Sequence, residues 1–235
     1  MLARGAVHKH RDVQDGAARA AVFGISDGLV SNVSLIIGIA GASTDPALIR
    51  VAGISGLLAG AVSMAAGEYV SLQAQKELVE RELSIERKSI ENNLEDETAE
   101  LKFIYEERGI DPDLAEEVAR QIMSNSEIAL DVHMREELGV NPEQLGNPLL
   151  ASISSFVSFS FGAFVPLIPW LMGEGNSAIW SSAIMGISCT ALVGGVLARL
   201  SGRSVFKTSL RQMLVATLAC SATYLIGSLL GTSVV

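Results

Sequence analysis

Between Arg19 and Asp45 the chain carries one formally charged side chain, Asp27, inside a run reading FGISDGLVSNVSLIIGIAGA from Phe23 to Ala42. A segment of that length and apolarity reads as a helix crossing a bilayer, where every backbone N–H and C=O finds its partner within the segment. A carboxylate about two turns inside such a helix is costly unless something pairs with it, which makes Asp27 a candidate functional group. The structural alternative is a carboxylate that bonds Ser26, Ser31 or Asn32, or caps a broken helix. Gly24, Gly28, Gly38 and Gly41 lie on the same run, and small residues let another backbone come close.

Four further runs have the length to cross a bilayer core. The five expected spans are Ala20–Ala42, Leu48–Val70, Pro148–Met172, Ala178–Leu200 and Ser209–Gly231. A turn, STDP (Ser43–Pro46), joins the first two, and the second holds GLLAG (Gly56–Gly60), a small-residue packing signal. Pro166 and Pro169 are expected to kink or end the third span. Cys189 and Cys220 fall in different apolar runs without a CxxC partner and read as small buried hydrophobes. The N-terminus does not read as a signal peptide, because its first apolar stretch starts near Ala20 and runs to span length.

The chain is 49% hydrophobic, yet its formal charge is -9. Both hold only if the two classes are segregated, and they are: Ser71 to Asn147 carries 20 Asp and Glu against 8 Lys and Arg. The expected organisation is an N-terminal tail (1–19), two transmembrane helices (20–70), an acidic aqueous insert (71–147) and three more transmembrane helices (148–235). This is an all-α membrane protein with five transmembrane helices, embedded in a lipid bilayer, and its acidity argues against nucleic acid as a partner. Arg4, Lys9, Arg11, Arg19, Arg199, Arg203, Lys207 and Arg211 all fall on the side of the insert, so the positive-inside rule makes N-terminus and insert cytoplasmic. The opposite side holds only Arg50, Asp45, Glu174 and an uncharged C-terminal tail.

Depth brings the polar residues of the first two spans together. Asp27 lies seven residues in from Ala20, or about 10 Å at 1.5 Å per residue. Met64 lies six residues in from Val70, at nearly the same level, and Glu68 about one turn closer to the cytoplasm. A carboxylate and a thioether at matched depth could form a station for a transition-metal ion, since hard magnesium or calcium has little use for sulfur. Packing is the plainer use of Met64. His8 and His10, two apart on the tail, could bind metal or simply be solvated.

No Gly or Pro interrupts the insert between Gly67 and Gly109, so the second span continues as helix, with Asn92 and Asn93 as the place where it could break. Asp111-Pro112 caps a second helix, and a third runs from Ser126 to Gly139. The insert is thus expected to be a three-helix module. At 100° per residue Glu97 falls about 20° from Glu86, and Glu100 about 40° to the other side. His133, Met134 and Glu137 share one side of the third helix. Carboxylates facing a Met/His/Glu helix make a credible iron site of the kind helical bundles build, against the alternative of a solvated acidic face.

SDGLVSNVSLIIGIAGA and GAVSMAAGEYVSLQAQKE resemble the vacuolar iron transporter family in a bacterial form. The resemblance continues through DVHMREELGV, NPLLASISSFVSFSFGA and LRQMLVATLACSATYLIGSLLG and covers nearly the whole chain in order. It implies a homodimer of five-span subunits with a cytoplasmic metal-binding domain between spans two and three. It also implies export of ferrous iron, often with manganese or other divalent ions such as zinc or cobalt, from the cytoplasm in exchange for protons, in the bacterial inner membrane. By this resemblance Asp27 and Met64 match the intramembrane translocation residues, and Glu86, Glu97, Glu100, Met134 and Glu137 match the insert's ligands. Ser89 departs from the glutamate expected there, with Glu82 or Glu91 as substitutes. His133 stands where plant relatives have methionine, Gly56 where they have glutamate, and Glu68 where they have glycine. The expectation is a proton-coupled transporter rather than an enzyme, with capture by the insert and passage by Glu68, Asp27 and Met64. The alternative is a membrane-anchored ferritin-like iron-storage or ferroxidase module without transport.

Overall fold

The structure, a computed structural model, describes residues 16–137, 139 and 146–231. His8, His10 and the basic residues Arg4, Lys9 and Arg11 lie outside the described residues, as do residues 232–235. All the described elements are helical: α1 (Gly16–Ala42), α2 (Pro46–Asn92), α3 (Leu94–Glu107), α4 (Pro112–Met123), α5 (Ser126–Glu136), α6 (Pro148–Phe164), α7 (Ile168–Met172), α8 (Asn176–Leu200) and α9 (Val205–Gly231). A 3-10 turn, Val165–Leu167, links α6 to α7. Five helical stretches are long and apolar enough to cross a membrane: Arg19–Ala42, Pro46–Asn92, Pro148–Met172, Asn176–Leu200 and Val205–Gly231. The chain falls into two compact units, one up to Val70 and from Asn147 onward, the other Ser71–Gly146.

In the apolar unit α1 is the central helix, packed on α6, α8 and α9. Its glycines decide where. In its N-terminal half a Cβ on Gly28 would stand 2.3 Å from the Phe159 carbonyl oxygen of α6, and one on Gly162 of α6 would stand 2.4 Å from that of Ile25. In its C-terminal half Gly38 meets α9, where a Cβ on Gly227 would stand 1.9 Å from the Gly38 oxygen. Backbones this close exchange dispersion contacts that larger residues would forbid, which is how apolar helices gain association energy within lipid. Serine hydroxyls go to backbone carbonyls: half-buried Ser152 to Ala65 (2.9 Å), half-buried Ser209 to Ala191 (2.8 Å), and buried Ser182 to Pro166.

The third span leaves α-helical geometry where its prolines fall. Pro166 and Pro169 have no N–H to give the helical ladder, and Val165–Leu167 tightens to 3-10 geometry between α6 and α7. Leu167 and Trp170, in and just after this turn, join a cluster with Ile36, Ala40, Ile49 and Ala178. Helix α2 differs from the others. It alone among the described helices has no closely packed helical partner. Side chains bridge the gap instead: Phe159 reaches to Gly60, Leu35 to Gly56, and Leu167 to Gly53. The GLLAG motif therefore receives side chains, not a neighbouring backbone.

In the acidic unit α2 stops at Asn92 and a new helix starts at Leu94, with Asn93 out of helical geometry between them (φ -131°, ψ 42°). The break falls at the Asn92-Asn93 pair that the sequence offers as its place, and three helices, α3 to α5, follow the end of α2. Asp111 caps α4 by accepting from the Asp113 N–H (3.1 Å), and Asn125 caps α5 by accepting from those of Glu127 and Ile128. Val79 and Ile90 of α2, Leu101 of α3, Ala119 and Met123 of α4, and Ala129, Leu130 and Met134 of α5 form one apolar core. We predict that Gly227→Ala, which drives a methyl into the Gly38 carbonyl, destabilises the protein by about 1–3 kcal/mol. Gly67→Ala, with nothing within 4 Å of the new methyl, is expected to cost nothing. Thermal melts of the two variants in detergent check this.

Candidate metal centre and membrane cleft

Within the acidic unit three donors converge. The ligand atoms of Glu86 on α2, His133 on α5 and Glu137 just past the end of α5 lie within 4.8 Å of one another. His133 is fully buried and Glu86 nearly so. His133 Nδ1 is 3.2 Å from Glu86 Oε1 and 3.7 Å from Glu97 Oε2. Those approaches are close but not aligned as hydrogen bonds, and both His133 nitrogens and Glu86 Oε1 are left without a partner. Buried polar atoms are normally paired, so an unpartnered imidazole and carboxylate converging with Glu137 have the chemistry of a cation site.

Electrostatics explains the protonation of this site. Burial, then repulsion from Glu137, Glu97 and Glu100, pushes the Glu86 carboxyl up to about 7. Burial, with Glu100, Glu97 and Glu82 behind it, also raises Glu137. Burial lowers His133, outweighing the opposing pull of Glu97 and Glu100. At neutral pH the imidazole is therefore a neutral ligand, and Glu86 is poised between its acid and its anion.

The remaining insert residues divide around this point. Glu97 is buried and its carboxylate accepts from the Ser89 hydroxyl, so the serine standing in for an expected glutamate holds a neighbouring one. Glu100 is exposed but close enough to shift Glu86, Glu137 and His133. Of the two substitutes, Glu82 acts on Glu137, whereas Glu91 lines a separate groove with Arg87, Ser126, Glu127 and Leu130. Met134 is fully buried within the apolar core of the unit.

In the apolar unit Asp27 and Met64 line one cleft of about 330 Å³, together with Ser31, Asn32, Leu35, Gly56, Gly60, Ser63 and Phe159. Asp27 is exposed to it. The Ser31 hydroxyl donates to the Asp27 backbone carbonyl (2.5 Å), not to its carboxylate. Glu68 is not among the lining residues and instead pairs with Arg19 at 2.9 Å. From the sequence Asn32 is a candidate bonding partner for Asp27; the structure turns its amide nitrogen to the Ala163 carbonyl instead.

The raised carboxyl of Glu86 fixes the pH dependence of cation binding. Below its pKa a proton must leave before a metal can take that oxygen, while His133, held below its usual value, has none to lose near neutrality. We therefore predict that manganese(II) affinity of the insert, read by calorimetry on the full chain, rises about fivefold from pH 6 to pH 7, about twofold more by pH 8, and levels off beyond. Glu86→Gln should flatten that rise.

Comparison with known proteins gives the same direction. Residues 18–228 match a family model described as the VIT family. A vacuolar iron transporter of Acanthamoeba castellanii is 37% identical over 230 residues, 96% of this chain and 83% of that protein. Vacuolar iron transporter 2 of Oryza sativa subsp. japonica is 27% identical over 204 residues, 86% of this chain and 83% of its own length. A vacuolar iron transporter of Toxoplasma gondii is 28% identical over 235 residues, 94% of this chain and 76% of that protein. With its residues matched across all five apolar helices and the acidic unit between them, the chain belongs to the VIT family.

Proposed function

We propose that the protein carries divalent metal ions, ferrous iron foremost and manganese, zinc or cobalt as further candidates, out of the cytoplasm in exchange for protons. The observation that carries this reading is the cleft: Asp27 and Met64, on two different apolar helices, line one cavity. A plain membrane anchor has no need of it. The named function of the relatives, iron transport, agrees with this reading, which is of a transporter and not an enzyme.

In this mechanism the acidic unit captures metal from the cytoplasm. Glu86, His133 and Glu137 supply the converging donors, Glu97 and Glu100 add negative field, and Met134 is a soft donor available only if the core beside it yields. Glu68, partnered by Arg19, lies next, and an arriving cation competes with the guanidinium for its carboxylate. The ion then reaches Asp27 and Met64. A carboxylate cannot hold a proton and a cation equally well, so a proton arriving at Asp27 from the far side releases the metal, and its loss to the cytoplasm readies the site again. The positive-inside pattern puts the N-terminus and insert in the cytoplasm, with the bacterial inner membrane as the setting. A homodimer accords with the exposed apolar face of α2, where Val51, Leu58 and Val62 are over half exposed.

The rival reading, a membrane-anchored storage or ferroxidase module, uses the acidic unit alone. The two part at Asp27. In proteoliposomes loaded with a pH gradient, Asp27→Asn should abolish iron(II) transport while metal binding by the insert persists. Wild-type transport by Asp27→Asn would end the reading.

A further inference from the structure

One polar atom of the cleft has no part in the Asp27–Met64 station. Asn32 is 1% exposed, and its amide nitrogen donates to the Ala163 carbonyl at 2.6 Å. That carbonyl lies in the last turn of α6, beside the proline-bearing 3-10 turn. The bond fixes which end of the amide is which, because reversing it would press two oxygens together. Oδ1 therefore faces away from α6 toward α2, only 2.9 Å from where a Cβ would stand on Gly56. No donor meets it. Buried amide oxygens seldom lack a partner, and hydrocarbon offers none.

Asn32 also stands in sequence along the cleft. It is five residues beyond Asp27 on α1, about 7.5 Å further along the axis at 1.5 Å per residue. On the antiparallel α2, Gly60 and Gly56 step away from Met64 in the same direction, and all of them line the cleft. Leu35 Cδ2 lies against the same spot on Gly56, so an ion in the cleft reaches the amide oxygen by turning the Leu35 side chain aside and shedding water on that side.

We propose that the side-chain oxygen of Asn32 is a further ligand for the metal ion, taken up after the Asp27 carboxylate, an inference that rests on the transport reading. A neutral oxygen suits that place. It holds a cation by its dipole without neutralising its charge, so the ion can leave again, whereas a second carboxylate would retain it. As a hard donor it also weights the path toward manganese(II) or ferrous ions over soft cadmium(II).

The test uses the full chain in proteoliposomes, with manganese(II) and cadmium(II) as probes and initial rate and apparent KM as readouts. Asn32→Leu should raise the manganese KM about tenfold, the size of one lost contact to a charged group. Asn32→Cys, which exchanges oxygen for sulfur, should raise the cadmium-to-manganese rate ratio about tenfold, and Asn32→Asp, whose carboxylate retains the ion, should lower both the manganese KM and its maximal rate. A role confined to holding the Ala163 carbonyl would lower both metals together in Asn32→Cys, and an unchanged ratio there overturns the proposal. If Asn32→Leu fails to fold, Asn32→Cys and Asn32→Asp decide. A wild type that moves neither metal, or an Asp27→Asn variant as fast as wild type, defeats the transport reading itself. Full loss in Asp27→Asn with unaltered selectivity in the Asn32 variants defeats only the inference about Asn32.

Discussion

Backbone-to-backbone contact between α1 and its neighbours is the constraint from which the rest of the apolar unit follows. Inside lipid there is no hydrophobic gain from joining one apolar helix to another, so close approach must supply the attraction. Gly28 and Gly162 seat α1 on α6, and Gly38 and Gly227 seat it on α9. With those sides of α1 spent on tight packing, Asp27 and Ser31 are left to face the gap toward α2. The cleft is thus a product of packing elsewhere. Asn32 belongs to both surfaces: its nitrogen ties α1 to α6, and its oxygen faces α2.

The acidic unit obeys a different rule. Its apolar core, from Val79 to Met134, brings helices together along one side, and in doing so it forces Glu86, Glu97 and His133 into a dry place. The raised Glu86 and Glu137 and the lowered His133 record the energy stored there. Protons relieve part of the repulsion, and a divalent cation would relieve more, with a neutral imidazole already in position. Ser89 relieves some by hydrogen bonding to Glu97, a contribution that an additional carboxylate at that position could not make.

The long-range plan was legible because it is written in composition: five apolar stretches and one acidic insert follow from residue counts alone. Individual carboxylates were legible where helical periodicity acts over short distances, as with His133 and Glu137 one turn apart. What the sequence did not disclose depends on packing between distant segments. That Asn32 would bond Ala163, 131 residues away, has no local sign. Nor does the pairing of Glu68 with Arg19, since either could have met water. The break at Asn93 was visible only as a possibility, because an Asn-Asn pair lowers helix propensity without forbidding a helix. Met134 was read with its neighbour His133, but burial in the core is decided by which other helices arrive.

The stand-off of α2 has a mechanical consequence. Four of the five long apolar helices are locked by main-chain contact, whereas α2 is held by side chains: Phe159, Leu35 and Leu167 against its glycines, and the Ser152 hydroxyl on its Ala65 carbonyl. Rotating a few side chains costs far less than parting interlocked backbones, so the softest displacement of this unit is a slide or tilt of α2 alone. Compliance is concentrated in one helix, and that helix carries Met64.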